Sequence, residues 1–171
     1  MMPKTFTVEL EKETLIFSAA HFITFSDQDG NPICESIHGH NYRVACRVSG
    51  LLDSHACVVD FIWLRDQLRE ITQKLDHHVL LPDSHPQIDV QEGDGHFEVK
   101  FQQRRWVFPA EDVALLPMDN TTAERLAEFI GQALMERIDK LDSVALSELA
   151  VGVDENEGQW AWCHWDQNDL A

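Results

Sequence analysis

Two histidines separated by one glycine, His38 and His40, lie in the stretch "CESIHGHNY" (34–42) beside Cys34 and Glu35. They lead into "GHNYRVACRVSG", where Tyr42, Val44, Cys46 and Val48 fall on one side and Asn41, Arg43 and Arg47 on the other, the period of a half-buried strand. Residues two apart on an extended chain share a face, so both imidazoles point the same way. A catalytic zinc needs three protein ligands and one open position, and His38 and His40 could supply two of them. His21, at the end of "TLIFSAAH", is the best third ligand, because a neighbouring strand could bring it alongside. The plainer alternative is a pair of surface histidines. Cys34 fits three roles: a fourth ligand, a base or nucleophile whose thiolate a cation would favour, or a buried apolar cysteine. Glu35 reads as a solvated loop carboxylate. In "LDHH" (75–78), Asp76 and His77 suit an oriented acid–base pair, or histidines favoured by a helix C-terminus. The acidic "DENEG" (154–158) is either a solvated hairpin tip or a place where a carboxylate accepts two parallel hydrogen bonds from a heterocycle.

These residues need a frame. Alternation predicts strands over 4–10 and 14–21, then a loop with Asp-Gly and Asn-Pro turn signals. Residues 60–75 read as an amphipathic helix with Asp60 as N-cap and Phe61, Leu64, Leu68, Ile71 and Leu75 as its apolar stripe. The stretch 83–118 breaks the rhythm and contains a hairpin, with strands near 96–101 and 105–108. A second helix spans 122–138, with Thr121 and Glu124 in a capping-box pattern. "SELAVGV" and "QWAWCHW" close the chain as strands joined by "DENEG". The order predicts an α+β fold: an antiparallel sheet with two helices on one face, in a single domain over 1–171 with an inserted hairpin region at about 84–116.

Composition sets outer limits. A net charge of −17 argues against nucleic acid or an anionic membrane as partner, though a site can still be locally positive around a metal. No apolar run approaches the roughly 20 residues of a membrane span. The N-terminus lacks the order of a signal peptide, and four scattered cysteines suit a reduced, cytoplasmic protein.

Six segments together resemble the 6-pyruvoyltetrahydropterin synthase / 6-carboxytetrahydropterin synthase family. They are "FSAAH" (17–21), "CESIHGHNY", "VVDFIWLR" (58–65), "LDHHVL" (75–80), "NTTAERLA" (120–127) and "VDENEGQWA" (153–161). They stand in family order, and only 84–116 departs from the compact pattern. The resemblance implies the tunnelling fold, in which subunits complete a barrel by oligomerisation, usually as a homohexameric dimer of trimers with intersubunit active sites. It implies Zn2+ on His21, His38 and His40, Cys34 as proton-abstracting base, and Asp76 with His77 as a partner acid–base pair from a neighbouring subunit. Glu155 would anchor a pterin ring, with Thr121 and Thr122 as further substrate contacts. The implied substrate is 7,8-dihydroneopterin triphosphate. Cys-x3-His-Gly-His is similar to the 6-carboxy branch that feeds queuosine. Glu35 stands where a folate-route branch has its catalytic glutamate and forms a 6-hydroxymethyl product. The pyruvoyl branch has a longer gap before its His-Gly-His. A zinc hydrolase using Glu35, or a zinc-binding scaffold without chemistry, would need neither Cys34 nor Glu155. Arg43 and Arg47 are candidates for the triphosphate by charge alone.

Overall fold

The computed structural model describes residues 4–141, 146–166 and 168–169. The chain opens with one long strand, β1 (Phe6–His21), where the sequence predicts two. The segment between Glu11 and Ile16 shifts register against the neighbouring strand without ending β1, so the polar "EKET" run is an irregularity within a strand. A short hairpin follows, β2 (Thr24–Ser26) and β3 (Pro32–Cys34), and then β4 (His38–Gly50). Helix α1 (Phe61–Thr72) is capped as expected, Asp60 accepting from the amides of Ile62 at 2.6 Å and Trp63 at 3.2 Å. Leu64, Leu68, Ile71 and Leu75 are buried, but Phe61, the first residue of the expected stripe, is exposed.

The middle of the chain is richer than a hairpin. β5 (Val79–Pro82) precedes a three-stranded sheet of β6 (Asp89–Glu92), β7 (His96–Phe101) and β8 (Arg104–Pro109), and β9 (Val113–Leu116) follows it. Helix α2 (Ala123–Ile138) precedes β10 (Leu146–Asp154) and β11 (Trp160–Asp166). The main sheet has the order β11-β10-β4-β1-β5-β9. It is antiparallel through β1, but β5 runs parallel to β1, and β9 parallel to β5. The sheet is antiparallel as expected through β11-β10-β4-β1, and β5 and β9 extend it in parallel at one edge, with α1 carrying the chain from the end of β4 to β5.

Both helices pack on one face. Phe17, Tyr42, Val44, Cys46, Val48, Leu149, Val151 and Val153 from the strands meet Leu64, Leu68, Leu126, Ile130 and Leu134. A second cluster joins Phe22, Cys34, Leu81, Ile88, Phe97, Val99 and Phe101 under the β6–β8 sheet. Among the described residues no helix is long and apolar enough to cross a membrane.

Candidate metal centre

The β1–β4 ladder assembles the histidines. His21 pairs with His38, and Ala19 with His40. Directly opposed residues on antiparallel strands share a face, and so do residues two apart, so one register places all three rings together. Gly39, between them, faces the Ala19 carbonyl; a Cβ there would stand 3.2 Å from that oxygen. One ligand nitrogen from each of His21, His38 and His40 lies within 4.8 Å of the others. Ring centres are 4.7 Å apart for His21–His38, 5.3 Å for His21–His40 and 4.9 Å for His38–His40, all edge to face. Tyr42, stacked on Phe17, forms the floor beneath His21 and His40.

The outer nitrogens are already held. His21 Nδ1 lies 2.8 Å from the Thr121 carbonyl, and His38 Nδ1 lies 2.9 Å from the Ser36 carbonyl. A carbonyl acceptor fixes each proton on Nδ1 and turns a lone pair on Nε2 inward, the arrangement that supports metal-binding histidines. His21 is fully buried, and its Nε2 has no hydrogen-bond partner. Glu155 Oε1 lies 3.1 Å away, outside hydrogen-bond geometry. A buried orphan nitrogen beside two other imidazoles and a carboxylate fits a divalent cation, and three nitrogen donors suit zinc.

Glu155 follows β10, whose Asp154 pairs with Arg43 of β4, so Glu155 turns to the Tyr42 and His40 face. Its Oε1 is 3.7 Å from His40 Nε2. Interaction with His21 holds the Glu155 carboxyl below its ordinary range against the opposing effect of burial, and the charges of His40 and His38 add to this. Burial lowers His40, Glu155 pulls the other way, and the other two histidines add to the lowering. Asp154 does a different job. Buried and paired with Arg43, it accepts from the amides of Gly158 and Gln159 and so shapes the turn that presents Glu155.

Glu35 and Cys34 separate. Glu35 Oε2 is 3.9 Å from His38 Nε2. Cys34 is buried in the second hydrophobic cluster, and its thiol donates to the Glu35 carbonyl at 3.4 Å. Burial pushes that thiol above its ordinary value; Arg104 opposes the rise and Glu35 adds to it. The residue is thus a protonated donor here, not a thiolate beside the triad.

Thr121 is not available as a contact for a bound molecule. Its side chain is fully buried, its hydroxyl donates to the Phe22 carbonyl at 3.2 Å, and its own carbonyl holds His21. It supports the triad, and the helix N-cap falls one residue later, on Thr122, whose hydroxyl accepts from the Arg125 amide. Arg43 pairs with Asp154 through Nε and Nη2, and Arg47 with Glu9 through Nε and with the Trp162 ring, so part of each guanidinium is engaged.

Asp76 and His77 form a pair but do not join the triad. Asp76 Oδ1 accepts from the Ser18 amide at 2.7 Å, and Oδ2 is 3.0 Å from His77 Nδ1. Desolvation raises the Asp76 carboxyl, but the Ser18 amide and His77 outweigh it and bring it below its ordinary value. His77 has φ 61, a left-handed conformation uncommon for a side chain of its size, and its side chain is 82% exposed. His77 lines a cavity with Ser18, Ala20, His40, Asn41 and Asp112, and Asp76 holds it there from behind.

Comparison with known proteins yields one consistent group. The model of a family described as 6-pyruvoyl tetrahydropterin synthase matches residues 9–165. A protein of Methanocaldococcus jannaschii, provisionally named 6-carboxy-5,6,7,8-tetrahydropterin synthase, is 32% identical over 148 residues, covering 86% of this chain and 88% of its own. The solved Plasmodium vivax 6-pyruvoyltetrahydropterin synthase superposes with a TM-score of 0.87 at 28% identity, over 95% of this chain and 99% of that one. A variant of the Plasmodium vivax enzyme with a catalytic glutamate replaced by alanine gives a TM-score of 0.88 at 26% identity, with the same coverage.

Proposed function

The chain belongs to the 6-pyruvoyl tetrahydropterin synthase family, and from that premise we propose that it is a zinc-dependent lyase forming 6-carboxy-5,6,7,8-tetrahydropterin from 7,8-dihydroneopterin triphosphate, on the queuosine route. The observation that carries this reading is the buried, unpartnered Nε2 of His21, set among His38, His40 and the Glu155 carboxylate. A purely structural histidine would have its nitrogens satisfied. The names of relatives such as the Methanocaldococcus jannaschii protein, and the Cys-x3-His-Gly-His spacing, support the 6-carboxy product.

His21, His38 and His40 would hold the zinc, whose chemistry is that of a Lewis acid acidifying a C–H beside a bound hydroxyl. Glu155 binds the pterin: an ionised carboxylate accepts two parallel hydrogen bonds from an amino-pyrimidine edge, and its depressed pKa keeps it ionised. Thr122, half-buried at the start of α2, is a lesser contact. The base comes from Cys34 or Glu35 and takes a side-chain proton. Asp76 orients His77, which moves protons on the opposite side of the substrate. The exposed His77 side chain leaves the pair open to a neighbouring subunit, whose site it serves in a homohexamer built as a dimer of trimers. For the 6-carboxy product, the substrate and one water give the carboxy-pterin, acetaldehyde and triphosphate. The unpaired cysteines suit the cytoplasm.

A second reading rests on the separation of the two bases. Glu35 stands beside His38 while the Cys34 thiol is withdrawn. With Glu35 as base the product is the 6-hydroxymethyl pterin, and the catalytic glutamate of the Plasmodium vivax enzyme supports that possibility. Incubating zinc-loaded protein with the triphosphate and weighing the pterin distinguishes the two. An untouched substrate, with no zinc held by the three histidines, would sink both.

A further inference from the structure

The β6–β8 sheet touches the candidate site at three points. Arg104 Nη1 donates to the carbonyls of both Cys34, at 2.7 Å, and Glu35, at 2.8 Å. Gln102 Nε2 donates to the Pro32 carbonyl at 3.2 Å. Trp106 stacks on Phe22, the residue after His21, with ring centres 4.7 Å apart and planes 12° from parallel. The Arg104 guanidinium lies over Trp106 at 4.6 Å, so one stacked unit links Phe22 to the Cys34–Glu35 backbone. From the other side, the Glu35 amide donates to the Ile23 carbonyl at 3.0 Å.

One nitrogen reaches two successive carbonyls only where the chain has left extended geometry, so the backbone turns at Glu35, just after β3 ends at Cys34. Fixing the two carbonyls therefore fixes both side chains at once. Cys34 goes inward, among Phe22, Leu81, Phe97, Val99 and Phe101, and Glu35 goes outward, toward His38. We infer that the β7–β8 hairpin, through Arg104, is the positioning device that decides which of two adjacent bases faces the histidine triad, holding Glu35 toward it and Cys34 away. Arg104 is a positioning residue and touches no reacting atom. The guanidinium shape matters, since a lysine can bridge carbonyls but cannot stack its charge as a plane on Trp106. The hairpin has ties besides Arg104: β7 and β8 pair from His96–Pro109 to Phe101–Arg104, and Glu98 binds Arg105 across it. The consequence for product choice rests on the proposed function; the placement of Cys34 does not.

The experiment separates the two. In intact protein carrying Cys57→Ser and Cys163→Ser, iodoacetamide labelling of Cys34 is followed by peptide mass, with fully buried Cys46 as internal control. Arg104→Ala should raise the Cys34 rate on the order of tenfold or more, the factor expected for losing charge-assisted hydrogen bonds, with Cys46 still unlabelled. Arg104→Lys should fall between. Labelling of Cys34 within about twofold of the parent overturns the inference, and so does Cys46 labelling in step with Cys34, since the release is then global. In turnover of 7,8-dihydroneopterin triphosphate, Arg104→Ala should raise the ratio of 6-carboxy to 6-hydroxymethyl product. An unchanged ratio alongside faster labelling overturns the link to base choice. A parent protein that gives no turnover overturns the proposed function alone and leaves the labelling result as the measure of the clamp.

Discussion

Replacing His38 by alanine should abolish most of the thermal stabilisation by zinc without harming the fold. His38 is the ligand to test because its side chain is 38% exposed, whereas His21 is fully buried and its loss would open the core. In the metal-free protein the buried His21 Nε2 has only the Glu155 carboxylate beside it, at 3.1 Å, and zinc held as proposed on His21, His38 and His40 would satisfy it. With free zinc at about 100 times the dissociation constant, the native state gains about 2.7 kcal/mol. At about 2–4 °C per kcal/mol for a chain of this size, the midpoint rises by about 5–11 °C. Losing even an outer partner of a metal ligand weakens affinity about 10–100-fold, so a lost ligand should cost at least about 100-fold. The gain at the same zinc concentration then falls to about 0.4 kcal/mol, or about 1–2 °C. Differential scanning calorimetry of parent and His38→Ala protein, with and without zinc, measures both shifts. Equal zinc shifts in the two proteins, or none in the parent, would refute the reasoning that places the metal on this triad.

Other outcomes follow from the same geometry. Glu35→Gln should lower formation of the 6-hydroxymethyl pterin by about 10²–10⁴-fold, the usual value of a positioned base, and Cys34→Ala should do the same to the 6-carboxy pterin, both read by product mass. His77→Asn keeps a residue that tolerates the left-handed backbone and Glu155→Gln keeps the turn, so each variant alone should fold and be inactive. Mixed oligomers refolded from the two should regain part of the activity, because some shared sites then carry neither substitution; no regain means that the sites are not shared. Burial raises the Cys34 thiol, so between the ordinary thiol pKa and the folded value it stays protonated. Its alkylation in native protein should begin to climb only above the ordinary thiol range and lag behind the urea-unfolded chain across that window.

The triad was legible in the sequence because strand periodicity is strict. His38 and His40 two apart must share a face, and one register with "FSAAH" brings in His21. The Asp60 cap and the strand pair around "DENEG" follow from equally local rules. What the sequence hides is what depends on distant partners. The parallel pairing of β5 with β1 rests on where α1 sets the chain down. Thr121 and Thr122 are equally good caps on paper, and only the Phe22 and His21 contacts withdraw Thr121 into support of the metal centre. The inward turn of Cys34 depends on Arg104, some seventy positions away, in a stretch whose composition suggests only a hairpin. The partners of Arg43 and Arg47 are hidden for the same reason: Asp154 and Glu9 come beside them only when the sheet forms.

The most direct test of the account is the mass of the pterin released when zinc-loaded protein is incubated with 7,8-dihydroneopterin triphosphate, run beside His38→Ala protein. Release of triphosphate with a 6-carboxy or 6-hydroxymethyl pterin from the parent, lost in the variant, is the predicted result, and the balance of the two pterins reads which of Cys34 and Glu35 serves as base. Recovery of unchanged substrate from the parent, or equal turnover by the His38→Ala protein, would contradict it.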